Sequence, residues 1–69
     1  MIEEYRDADF WLTKGISTAM RDQHATAIQC YKQALLLNPD HYLVMFNIAC
    51  SYERFSKFSC AFKWFKRAV

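Results

Sequence analysis

Residues 24–40 read HATAIQCYKQALLLNPD, and this stretch decides the fold. Ala27, Ile28, Tyr31, Ala34 and Leu35 recur at i, i+1, i+4, i+7 and i+8, steps of three and four that lay one apolar stripe along a helix. Asn38-Pro39-Asp40 ends the stripe. Proline disfavours helix at the residue before it, and Asp40 is a good N-cap for the next helix. Beyond the break, Phe46, Ile48, Ala49, Tyr52 and Phe55 form a second stripe. Phe58, Ala61, Phe62, Phe65, Ala68 and Val69 form a third, and upstream Phe10, Trp11, Gly15, Ile16 and Met20 form a less regular one. Asp22 and Ser56, each just ahead of a fresh stripe, are expected to be further N-caps. The spacing predicts helices near 3–20, 23–37, 41–54 and 57–69. Their short connections imply antiparallel neighbours, so the chain reads as two stacked helical hairpins.

Composition agrees with an all-α reading. The chain has 69 residues, 54% hydrophobic and 17% aromatic, with a single Gly and a single Pro. Disordered chains are poor in aromatics, and a β-sandwich needs turn residues that are missing here. Formal net charge is only +2, too little to imply nucleic acid. The charge is uneven, however. Glu3, Glu4, Asp7 and Asp9 make the start acidic, while Arg54, Lys57, Lys63, Lys66 and Arg67 make the end basic. Cys30, Cys50 and Cys60 form no C-x-x-C pair and are expected as free thiols in a reducing, cytoplasmic compartment. No secretory leader opens the chain, and no apolar run approaches the roughly 20 residues that cross a bilayer.

The chain also matches itself. At an offset of 34 residues, Ser17 pairs with Ser51, Ala27 with Ala61, Lys32 with Lys66 and Ala34 with Ala68. Similar residues pair as well: Gly15 with Ala49, Ile28 with Phe62, Tyr31 with Phe65, Asp22 with Ser56, Leu35 with Val69. Small residues meet small ones and aromatics meet aromatics. Helical hairpins of this period stack into repeat arrays.

This pattern resembles the tetratricopeptide repeat. Trp11, Gly15, Ala27, Tyr31, Ala34 and Pro39 fall at that family's spacing, and Ala49, Tyr52, Phe58, Ala61, Phe65 and Ala68 do so again. Lys14, Thr18, His24 and Met45 depart from it, and the second unit stops at Val69 before its proline turn. The resemblance implies a short right-handed solenoid: an extension or the end of a preceding repeat at 1–7, one repeat at 8–41 and a truncated one at 42–69. It further implies a concave groove lined by the first helix of each hairpin. Asp9, Leu12, Thr13, Ile16, Ala19 and Met20 would come from one hairpin, and Leu43, Phe46, Asn47, Cys50, Glu53 and Arg54 from the other. Such a groove would be apolar and suited to a peptide or helical segment of another protein. The carboxylate clamp found in some members is not expected. Asn47 stands where a clamp Asn would, but Leu12 and Ile16 occupy places that need a Lys and an Asn.

No constellation for catalysis emerges, so a scaffold or protein-binding module without cofactor or metal is expected. His24 and His41 have no i+4 ligand partner. Glu3 and Glu4 are adjacent and diverge on a helix, and Gly15 alone makes no phosphate loop. Two other roles compete with the groove. The cations and aromatics of the last helix could bind single-stranded nucleic acid, although Phe58, Phe62 and Phe65 are expected to pack inward with the cations solvated outside. Alternatively the chain is a self-associating solenoid fragment. Phe62, Phe65 and Val69 lie on the face that a third repeat covers, which predicts a homodimer or an exchange of hairpins between copies. Opening on Met and stopping inside a helical stripe reads as an excised or engineered piece.

Overall fold

The computed structural model describes residues 6–69 and contains four helices with no strand among them. These are α1 (Ala8–Met20), α2 (His24–Leu37), α3 (Tyr42–Arg54) and α4 (Phe58–Ala68). Helix α1 packs on α2, α2 on α3, and α3 on α4. This packing is compatible with a pair of helical hairpins, and the shape is elongated, 45 × 26 × 12 Å. No helix among the described residues is long and apolar enough to cross a membrane.

Local chemistry explains the boundaries, and it corrects several expectations. The spacing predicts the first helix from about residue 3; residues 3–5 lie outside the described residues, and Arg6 and Asp7 are not helical. Asp7 is instead the N-cap, extended in backbone, with Oδ1 accepting the Phe10 N–H at 2.9 Å. At the Pro39 break, the cap of α3 is His41, not Asp40. His41 Nδ1 accepts the Val44 N–H at 3.4 Å, and the ring is mostly buried.

Asp22 and Ser56 are not N-caps either. Both have left-handed backbone, φ 66° and 58°, and each closes the helix before it. The Asp22 N–H reaches Ala19 O at 2.9 Å and the Gln23 N–H reaches Thr18 O at 3.2 Å. In the second turn the Ser56 N–H reaches Glu53 O at 2.9 Å and the Lys57 N–H reaches Tyr52 O at 3.0 Å. This is the paired bonding of a Schellman C-terminus. Asp and Ser suit an N-cap and a polar turn alike, and residue type alone does not separate the two uses. Helices α2 and α4 have Gln23 and Lys57 as their N-cap residues, and neither makes a side-chain cap hydrogen bond. The two turns are equivalent bond for bond at the 34-residue offset, so the sequence repeat is also a repeat of local structure.

The core is built where the stripes meet. Leu12, Ala27, Tyr31, Ala34, Val44 and Ile48 form one buried cluster, with Trp11, Leu35, Tyr52 and Trp64 packed against it. Small residues let the helices close: Ala27, Ala34 and Ala49 are fully buried. Gly15 is buried against the Tyr31 ring, where a Cβ would stand 2.4 Å from Cε1.

The candidate interaction groove

A pocket of about 280 Å³ opens where α1, α2 and α3 converge. Ile16, Ala19 and Met20 line it from α1, His24 and Tyr31 from α2, and Asn47, Cys50, Ser51 and Arg54 from α3. Helical periodicity explains the set: Ile16 and Met20 share a face of α1, as Asn47, Cys50 and Arg54 share a face of α3. The volume lies at the small end of ligand pockets, which run from about 300 Å³ upward. It suits one or two side chains of a longer segment.

The pocket is apolar along α1 and polar along α3. Ile16 and Met20 are exposed, Met20 at 83%. Asn47 donates Nδ2 to Leu43 O at 2.7 Å, back into its own helix, so its Oδ1 remains the acceptor on that wall. The Cys50 thiol is pushed above its ordinary value by burial first and by the nearby Glu53 carboxylate second, with Arg54 opposing. Burial pushes the Tyr31 hydroxyl up as well, helped by the thiols of Cys50 and Cys30. Both groups are therefore protonated at neutral pH and present neutral walls. His24 closes one end. Its Nε2 lies 3.1 Å from Asp22 Oδ1, its ring meets Phe55 edge-on at 6.1 Å, and its Nδ1 is buried without a hydrogen-bond partner.

The sequence-predicted groove residues divide. Ile16, Ala19, Met20, Asn47, Cys50 and Arg54 come together. Leu12 does not; it is 7% exposed and belongs to the core. Asp9 and Thr13 line a different depression, about 590 Å³, on the outer face of α1 with Phe10, Lys14, Ser17, Thr18 and Arg21. Asp9 also reaches His41, Oδ1 to Nε2 at 3.6 Å. Leu43, Phe46 and Glu53 are exposed on α3, and Phe46 leans toward α4, its ring 5.4 Å from that of Phe65. His24, Tyr31 and Ser51 line the pocket although no groove pattern in the sequence includes them. The only sequence signal for them is position: His24 comes just after the first turn, and Ser51 repeats Ser17.

The last helix also departs from expectation. Phe65 is half-buried, but Phe58 and Phe62 face solvent, 64% and 63% exposed, and Val69 is fully exposed. The inward positions of α4 are held instead by Ala61, which is buried, by Trp64, packed against the core cluster, and by Phe65, against Phe46. Lys66 Nζ lies over the Phe62 ring at 5.4 Å and the Arg67 guanidinium over Trp64 at 4.5 Å. These cations are held on the helix's own aromatics. Cys30, Cys50 and Cys60 are free thiols. No cluster of three potential metal ligands occurs among the described residues. Comparison with known proteins returns no matching family model, no matching curated protein and no matching solved structure.

Proposed function

We propose that this chain is a protein-interaction module of the tetratricopeptide class: two antiparallel hairpins stacked in a right-handed sense, binding a segment of another protein without catalysis. The observation that supports binding is the pocket between α1 and α3, where exposed Ile16 and Met20 face Asn47 and Arg54. Solvent-facing apolar side chains cost little to cover, and polar groups on the opposite wall fix a ligand's register. A helical or extended peptide presenting one apolar anchor beside a hydrogen-bonding backbone or side chain suits that arrangement. The groove reading also accounts for the neutral walls at Cys50 and Tyr31, since an apolar anchor enters without stranding a charge.

Selection of peptides from a displayed library against the whole chain tests this. Enriched peptides are expected to share an apolar anchor and to lose binding to the double variant Ile16→Lys, Met20→Glu. Both side chains are exposed, so far-UV circular dichroism should show the same helix content. Equal binding to that variant, or no enriched class, would overturn the groove assignment.

A further inference from the structure

Among the described residues the 34-residue equivalence leaves two outward faces, each covered at its aromatic only by a cation of its own neighbourhood: Arg6 lies over the Phe10 ring and Lys66 over the Phe62 ring, both at 5.4 Å. On α2, Ile28 and Tyr31 are 6% and 1% exposed. Of their equivalents on α4, Phe62 is 63% exposed with Lys66 over its ring, while Phe65 is half-buried against Phe46. On α3, Val44, Ile48 and Ser51 are buried at the seam. Their equivalents on α1, Phe10, Lys14 and Ser17, line the outer depression of about 590 Å³. The chain therefore carries one made copy of this seam, α2 against α3, and both halves of an unmade one.

We infer that the α4 face of one molecule docks on the outer α1 face of a second copy, head to tail, reproducing the α2–α3 seam between molecules. The fit is that of a repeat to itself: Phe62 takes the place of Ile28, and Phe10 takes the place of Val44. Charge favours the same partner. The loop at 38–41 holds the last turn of α2 beside the first turn of α3, so the same seam sets the basic last turn of α4 near the acidic first turn of α1. Lys66 and Arg67 end α4, and Asp7 and Asp9 begin α1. Lys14 and Arg21 stand where α3 has Ile48 and Phe55, so the intermolecular seam is the more polar and the weaker of the two. The contact is heterologous, and a contact that does not close on itself grows as an open series. It uses surfaces outside the α1–α3 pocket and stands independently of peptide binding there.

Sedimentation of the whole chain across a hundredfold concentration range, with two half-blocked variants, tests it. Phe62→Asp blocks the α4 face and Ser17→Arg blocks the α1 face; both positions are solvent-exposed, and unchanged circular dichroism confirms the fold. The wild type is expected to gain mass progressively, without a plateau at the dimer. Each variant alone is expected to stay monomeric, while an equimolar mixture forms a dimer and stops there, since one intact face of each kind remains. Three results would overturn the proposal. The wild type stays monomeric in the high micromolar range; Ser17→Arg associates like wild type, as in a symmetric α4 dimer or hairpin exchange; or the mixture remains monomeric.

Discussion

Gly15 lies directly against the ring of Tyr31, and the space between them cannot hold a methyl group: a Cβ on Gly15 would sit 2.4 Å from Cε1 and 2.6 Å from Cδ1. Tyr31 cannot step aside, because it is 1% exposed and part of the central cluster. The approach of α1 to α2 is set by this contact.

Gly15→Ala is accordingly expected to destabilise the fold by about 1–3 kcal/mol, despite alanine's better helix propensity, since overpacking a filled core forces side chains and backbone to shift. Urea unfolding measures it. Combining Gly15→Ala with Tyr31→Leu should cost less than the sum of the two single changes, because the pair is in contact. Strict additivity would show that the ring does not set the spacing.

Ser56→Gly is expected to stabilise the chain by roughly 0.5–1 kcal/mol, because Ser56 holds a left-handed backbone that glycine adopts without penalty. Asp22→Gly should gain less at the equivalent place, for it also removes the contact to His24 at 3.1 Å. Thermal melts of the two variants side by side decide this. A loss of stability on Ser56→Gly would mean that the turn is not left-handed in solution.

Asp7→Ala should cost about 1 kcal/mol, the usual loss of an N-cap side chain. Here it frees the Phe10 N–H now bonded at 2.9 Å. Asp7→Asn and Asp7→Ser should retain most of the stability, since each keeps an acceptor oxygen. If all three substitutions lower the unfolding midpoint equally, the carboxylate charge and not the cap is what matters.

Stability should fall on the alkaline side. Folding raises the Cys50 thiol above its ordinary 9.0 and the Tyr31 hydroxyl above its ordinary 10.0, with burial the leading cause for both. The folded chain thus holds these protons more tightly than the unfolded chain. Their contribution is complete below the ordinary values and is lost as the pH rises through the folded ones. Urea midpoints should be flat near neutrality, decline from about pH 9, and decline less in Tyr31→Phe. The same shift predicts that iodoacetamide alkylates Cys50 more slowly than a free thiol at equal pH. Faster alkylation, or midpoints that climb with pH, would contradict the burial of these groups.

Much of the fold is legible in the sequence because its strongest signals are local. Pro39 ends one helix whatever surrounds it, and the i, i+3, i+4 stripes around Tyr31 and Ile48 need only one partner face. The turns escape a sequence reading for a physical reason. Asp22 and Ser56 have side chains equally at home on an N-cap and in a left-handed turn, and the difference lies in φ, which side-chain chemistry does not encode. Leu12 shows the same limit at the site. Leu12 and Ile16 are four residues apart and share a face, so sequence cannot say which of them the approach of α3 buries. The family resemblance places Ile16, Met20, Asn47, Cys50 and Arg54 on one groove, and they do line one pocket. His24 and Tyr31 enter the pocket from α2, which no rule about first helices anticipates.

The equivalence of Ile28 and Phe62 also sets an order of opening. Helix α2 is clasped on two sides, by α1 and by α3, whereas α4 is held by α3 and turns Phe58 and Phe62 to water. A helix held on one side opens more easily than one held on two, so the chain should not open everywhere at once. Amide hydrogens of α4 should exchange first and those of α2 last, a gradient in time running backward along the polypeptide from its end toward its middle.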